Sequence, residues 1–279
     1  MPASVKNSGH CRVMRTSVRM DSLAIERSWL DRGATLIAGT DEVGRGAWAG
    51  PVVAGIVAVP PKLYQSLPVE LHGVDDSKLL SPKQRTALAP SVMTHVAAWG
   101  LGAVTSREIA VAGLSAAVRL AIRRAYADLY AKLQRAPDIL LTDAVTLPNP
   151  PVRVESHPKA DKRCLSVAMA SILAKVHRDR LMRRFGQIYP SYDFANNKGY
   201  GTRRHQVALS RLGPCAIHRA TFLPVMRAAS QLLHPAHVSL SSNVDPSEAC
   251  QDADSGRQCI AAVAETASNV QSSQWGAGL

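Results

Sequence analysis

Residues 35–60, TLIAGTDEVGRGAWAGPVVAGIVAVP, decide how this chain is read. Two apolar runs, TLIAG at 35–39 and PVVAGIVAVP at 51–60, each have the length and β-branched content of a short buried strand. Between them stand Asp41 and Glu42, followed by Gly44, Arg45 and Gly46. A strand end carries side chains to the rim of a core, so two acids placed directly after a strand are candidates for chemistry. Neighbouring strand residues face opposite ways, and these two carboxylates converge only where the strand bends; Gly39 and Gly44 make that bend feasible.

Outward from this stretch the periodicity alternates between strand and helix. HVAAWGLGAV at 95–104 predicts a third strand, residues 107–112 a short helix, and residues 114–134 a long one. That long helix carries Leu114, Val118, Ala121, Ile122, Ala125 and Leu129 on one stripe and ends before Pro137. DILLTD at 138–143 and PVRVES at 151–156 predict two more strands, and from about 164 the spacing Leu165, Met169, Ile172, Leu173, Val176 returns to a helix. Strands and helices in this order predict an α/β sheet covered by helices.

Asp143 closes the fourth predicted strand and Asp161 precedes the last long helix. Carboxylates brought together repel and take up protons unless a cation neutralises them. Mg²⁺ and Mn²⁺ prefer oxygen ligands and keep several waters, whereas zinc would call for histidine and cysteine at ligand spacing, and none is present. Each acid alone has an ordinary alternative: Asp143 a turn cap, Asp161 a helix cap, Asp75 and Asp76 solvated charges. The glycines at 44 and 46 fit a tight turn equally well, but a plain turn does not explain their place beside two acids.

Charge and composition narrow the class. Residues 1–234 hold 32 lysines and arginines against 16 acids, a net +16, which suits a polyanionic partner and first of all nucleic acid. Lys159, Lys162, Lys198, Arg203, Arg204 and His205 are candidates to track phosphates. Five cysteines without CxxC pairs fit a reducing, cytoplasmic setting. No apolar run is long enough for a membrane span, so no membrane partner is expected. Residues 1–30 are expected to be a disordered N-terminal extension, with Met20 an alternative start, residues 31–233 one domain, and residues 234–279 a disordered tail.

Five blocks in order now carry a specific resemblance: DEVGRG at 41–46 with GPVVAG at 50–55, DDSKLLSPKQR at 75–85, LLTDA at 140–144, KADKRCLSVAMASILAKVHRDRLM at 159–182, and YPSYDFANNKGYGTRRHQVALSRLGPCAIHRATFLPV at 189–225. Together they resemble the ribonuclease HII family. The resemblance implies an α/β, ribonuclease H-like mixed five-stranded sheet flanked by helices, with a C-terminal helical extension. It implies an endonuclease that hydrolyses the RNA strand of RNA–DNA hybrids and cuts at ribonucleotides embedded in duplex DNA, leaving 5′-phosphate and 3′-hydroxyl ends.

Carried over residue by residue, Asp41, Glu42, Asp143 and Asp161 are the catalytic acids and the ligands of two divalent ions, Mn²⁺ or Mg²⁺, bound with substrate. Gly44, Arg45 and Gly46 match the loop that contacts the ribonucleotide 2′-hydroxyl, Tyr200 the tyrosine that packs on the neighbouring sugar, and Ser77 and Lys78 phosphate contacts. The alanines at 47 and 144 stand where the family often has proline and glycine, and Trp48 is bulkier than usual. A monomer is expected. The alternative reading is a non-catalytic protein that binds RNA–DNA hybrids on the same fold.

Overall fold

The computed structural model describes residues 23–74 and 79–232. In chain order the principal elements are α1 (Ala24–Asp31), β1 (Ile37–Val43), β2 (Val52–Val59), α2 (Pro61–Gln65), α3 (Pro82–His95), β3 (Ala98–Val104), α4 (Ser106–Ala112), α5 (Leu114–Leu133), β4 (Ile139–Asp143), β5 (Val154–His157), α6 (Ala160–Arg163), α7 (Leu165–Ile188), α8 (Phe194–Asn197), α9 (Arg203–Leu212) and α10 (Leu223–Leu232). The strands form one five-stranded sheet in the order β3-β2-β1-β4-β5. β1 pairs antiparallel with β2, and β2 with β3, while β1–β4 and β4–β5 are parallel, so the sheet is mixed as expected.

Alternation along the strands divides the core. Leu36, Ala38, Ala54 and Ile56 face α5 and pack on Ala117, Val118, Ala121, Ile122, Ala125 and Leu129. Ile37, Val57, Val59, Ile139 and Leu141 face α7 and pack on Val167, Met169, Ala170 and Ile172. Both helices lie unusually close to the sheet because glycines remove the side chains in between. A Cβ on Gly102 would stand 2.1 Å from the Ala121 carbonyl oxygen, and one on Gly55 2.4 Å from that of Ala170. Neither gap can be opened without lifting a helix backbone.

Several expectations are corrected. The extension expected over 1–30 ends earlier, because α1 docks on the body: Leu23 and Trp29 are buried and Glu26 is fully so. Glu26 reaches the start of α7, where it accepts from Ser166 N–H at 3.1 Å and Ser166 Oγ at 3.0 Å. Residues 95–97, expected in the third strand, belong to the end of α3 and the turn after it. The first strand runs on through Val43, so Asp41 and Glu42 lie inside it and not beyond it. The expected tail at 234–279, residues 1–22, and Ser77 and Lys78 all lie outside the described residues. Among the described residues no helix is long and apolar enough to cross a membrane.

Candidate active site

The acids gather where β1 and β4 end side by side. Asp41 and Glu42 stay in register with β2, opposite Gly55 and Ala54. β1 and β4 pair up to Thr40 and Thr142, which puts Asp41 and Asp143 at the next step of a parallel ladder, on strands about 4.8 Å apart. Both share the parity of Ile37, Ile139 and Leu141, so both face α7. Asp161 enters from α6, the single turn that precedes α7, and is 2 % exposed. Glu42 has the opposite parity and reaches the group from the rim of the sheet.

Each carboxylate is engaged by a neighbour. Asp41 accepts from the Glu42 N–H at 2.8 Å and from the hydroxyl of Ser171 in α7. Glu42 pairs with Arg45 at 3.0 Å, its own side chain being nearly buried and the arginine half exposed. Asp143 accepts from the Ala160 N–H at 3.2 Å, a bond that ties the end of β4 to the turn carrying Asp161. Burial pushes the Asp41 carboxyl up to about 7, with the charges of Glu42 and Asp161 adding to the rise and the Ser171 hydrogen bond opposing it. Burial likewise raises Glu42, with Asp143 adding repulsion and Arg45 pulling the other way.

The acids therefore repel in pairs, Asp41 with Glu42 and Asp161, and Glu42 with Asp143. Among the described residues no three of His, Cys, Asp or Glu are clasped closely enough to enclose a metal ion by themselves. With Arg45 on Glu42, and backbone amides on Asp41 and Asp143, the carboxylates answer to protein donors. Their chemistry still fits a hard divalent cation, since every potential ligand is an oxygen and two of them resist ionisation without one.

The loop after β1 begins at Gly44, whose φ of +94° lies in the region that favours glycine. Gly46 is open, with nothing within 4 Å of a would-be Cβ. The loop is tied to the segment that carries Tyr200: Trp48 N–H and Ala49 N–H both donate to Gly199 O, at 2.8 and 3.2 Å. Tyr200 is 36 % exposed, which excludes a core aromatic, and the Arg178 guanidinium carbon lies 5.5 Å from its ring centroid.

The chain matches the family described as ribonuclease HII over residues 38–225. It belongs to that family. A ribonuclease HII of Thermus thermophilus is 47 % identical over 197 residues, covering 71 % of this chain and 91 % of that protein. The ribonuclease HII of Chloroflexus aurantiacus is 43 % identical over 213 residues, covering 76 % and 98 % respectively. Among solved structures, the ribonuclease H2 from Pyrococcus horikoshii OT3 superposes with a TM-score of 0.61 at 25 % identity, covering 71 % of this chain and 99 % of that one. Bst-RNase HIII shares the fold, with a TM-score of 0.59 at 20 % identity over 71 % of this chain and 70 % of its own. The chain is thus a ribonuclease H, a hydrolase of the nuclease class, and the family implies endonuclease activity on RNA–DNA hybrids.

Within this ribonuclease HII frame one candidate moves out of contact with substrate. His205 is fully buried, not at the surface; its Nδ1 bonds Tyr200 O at 3.0 Å and its Nε2 bonds His218 Nε2 at 3.0 Å. Arg178 and Arg219 behind the site escaped the sequence reading, as did the bond of Ser171 to Asp41 and the burial of Glu26. Only Arg178 carried a usable signal, since it continues the line of Ala174 and Met182 along a buried helix face.

Proposed function

We propose that this ribonuclease H hydrolyses the RNA strand of RNA–DNA hybrids and also cuts at single ribonucleotides embedded in duplex DNA, leaving 5′-phosphate and 3′-hydroxyl ends. Asp41, Glu42, Asp143 and Asp161 hold two divalent cations, Mg²⁺ or Mn²⁺, in the substrate complex. The observation that carries this reading is the buried Asp41, pushed up to about 7 by its burial with Glu42 and Asp161 beside it. A buried cluster of repelling carboxylates is costly unless positive charge arrives to balance it. When bound, the cations activate the attacking water and offset charge on the departing 3′-oxygen.

The chain's own residues do the rest. Ser171 and the Glu42 N–H hold the Asp41 carboxylate in one orientation. Arg45 pairs with Glu42 in the free protein and stands half exposed beside the acids, where it can meet a phosphate. Backbone groups of Gly44, Arg45 and Gly46 distinguish a ribonucleotide by its 2′-hydroxyl without reading the base. Tyr200 stacks its exposed ring on a neighbouring sugar, and Ser77 and Lys78 contact phosphate. Recognition of backbone alone makes cleavage independent of base sequence.

The test is an end-labelled DNA duplex bearing one ribonucleotide, incubated with Mg²⁺, with Mn²⁺ or with a chelator. Cleavage at the ribonucleotide only with metal, giving a 5′-phosphate and a 3′-hydroxyl, is expected. Tight binding with no cleavage under any condition would instead establish the non-catalytic alternative.

A further inference from the structure

Two arginines lie fully buried beneath the loop that starts at Gly44. Arg178, in α7, donates from Nε to Pro51 O at 2.8 Å, from Nη1 to Lys198 O at 2.9 Å and from Nη2 to Ala49 O at 3.3 Å. Arg219, between α9 and α10, donates from Nε to Gly50 O at 3.0 Å, from Nη1 to Arg45 O at 2.8 Å and from Nη2 to Gly44 O at 2.7 Å. All six acceptors are backbone carbonyls. Burial pushes Arg219 down to about 9, and the charge of Arg178 adds to that shift. A buried cation satisfied in this way adds little net stability, and an apolar side chain would serve a purely structural position at least as well.

What the two cations do achieve is directional. A trans peptide points its C=O and its N–H to opposite sides. With Gly44 O and Arg45 O both drawn onto the buried Arg219, the N–H groups of Arg45 and Gly46 must point away from the interior. Neither N–H donates to a backbone acceptor among the described residues. The space over Gly46 is open, while Gly44 sits so tightly on Arg178 that a Cβ there would lie 2.2 Å from its Nε. Successive outward N–H groups form a concave donor pair suited to an oxygen ligand. Arg178 also holds Lys198 O and lies under the Tyr200 ring, so the loop and the tyrosine move as one body.

We propose that Arg219, supported by Arg178, is a positioning residue for substrate selection: it fixes the Arg45 and Gly46 N–H groups outward as the donor pair for the ribose 2′-hydroxyl. The proposal rests on the reading of the loop given above. Its test is Arg219→Lys, which keeps the charge and loses the fork, with Arg219→Gln as a second variant that keeps two donors.

Two readouts are taken on any variant that melts within a few degrees of wild type. One is kcat/KM on the single-ribonucleotide duplex, set against the Ki of an all-DNA duplex as competitor. The ribonucleotide kcat/KM should fall about a hundredfold, while the Ki of the all-DNA duplex moves less than about twofold. Equal factors on both, or no change on either, overturn the proposal. The other readout is the backbone N–H order parameter at Arg45 and Gly46, which needs no activity and should fall from about 0.85 in wild type to below about 0.6. Wild-type order parameters overturn the proposal, as does failure of both variants to fold, which would make Arg219 structural. A wild-type protein that cuts nothing would defeat the functional reading and leave the order parameters to judge Arg219.

Discussion

The two faces of the sheet are built by opposite rules. Under α5 the packed side chains are aliphatic or alanine from Leu36 to Leu147, and the close approach depends on Gly100 and Gly102. On the α7 side the buried set includes Glu26, Asp41, Asp161, Ser166, Ser171, Arg178, Asp179, His205, His218 and Arg219. The first face does what any core does, removing apolar area from water. The second buries charge, at a cost in stability that only site geometry can justify. Substitutions should therefore separate: changes under α5 should cost stability and spare chemistry, and changes at the carboxylates buried on the α7 side should do the reverse.

The sharpest contrast pairs Asp41→Asn and Asp143→Asn with Leu129→Ala. The two carboxylate variants should lose cleavage by about a thousandfold or more, the scale of losing metal-assisted charge stabilisation, with melting unchanged or raised. Leu129 is fully buried in α5, and its truncation should cost about 2–5 kcal/mol while kcat well below the melting point stays at the wild-type value. Full activity in either carboxylate variant would break the contrast at its centre.

Tyr200 tests its edge. Because the ring is partly out of the protein, Tyr200→Ala should leave melting alone and slow cleavage by about tenfold to a hundredfold through misalignment. Tyr200→Phe should keep most activity, since the ring and not the hydroxyl does the packing. A drop in melting temperature of many degrees in the alanine variant would show that the residue is structural.

The α5 face was the legible one. Uninterrupted apolar runs and the stripe from Leu114 to Leu129 state their own burial, and the strands they predict all form. The α7 face was harder because charge conventionally reads as surface. Asp41 and Glu42 looked like loop residues, yet an antiparallel ladder to Gly55 and Ala54 carries the strand through both. α1 was missed because its buried face is interrupted by Glu26, whose carboxyl is buried to hold Ser166, far away in sequence. α3 had a signal that went unused, a capping box from Ser81 to Gln84 with proline at the first turn. Arg219 gave none, because its neighbourhood shows no periodicity and its partners lie across the sequence at 44, 45 and 50.

Glu26 offers a smaller, pH-dependent effect on the same face. Burial pushes its carboxyl up from 4.5 to about 7, opposed by the hydrogen bonds from Ser166. The folded chain then binds more protons at Glu26 than the unfolded chain does between pH 4.5 and about 7, so its contribution to stability falls as pH rises through that window. The fall should reach up to about 3 kcal/mol. Glu26→Gln removes the titration, so denaturant unfolding at pH 5 and pH 8 should show a smaller loss in the variant than in wild type. Identical losses would show that Glu26 ionises in the folded protein as it does in the unfolded chain.

The smallest effect is at Ala144, the alanine next to Asp143. Its φ of +53° is left-handed, a strained setting for a residue with a Cβ. Ala144→Gly should relieve about 1–2 kcal/mol of strain and give back part of it as unfolded-state entropy, for a net rise of about 2 °C in melting temperature. A lower melting temperature would mean that the turn after β4 is not held in this conformation.

Thermal melting against Mn²⁺ concentration measures, without any substrate, whether the acids of the α7 face bind a cation. A ligand that binds only the folded state raises the melting temperature as its concentration climbs past its dissociation constant. Wild type should show a clear rise with Mn²⁺, and Asp41→Asn and Asp143→Asn, although at least as stable as wild type in chelator, should show little or none. An equal rise in all three proteins would place the ion elsewhere and contradict the account.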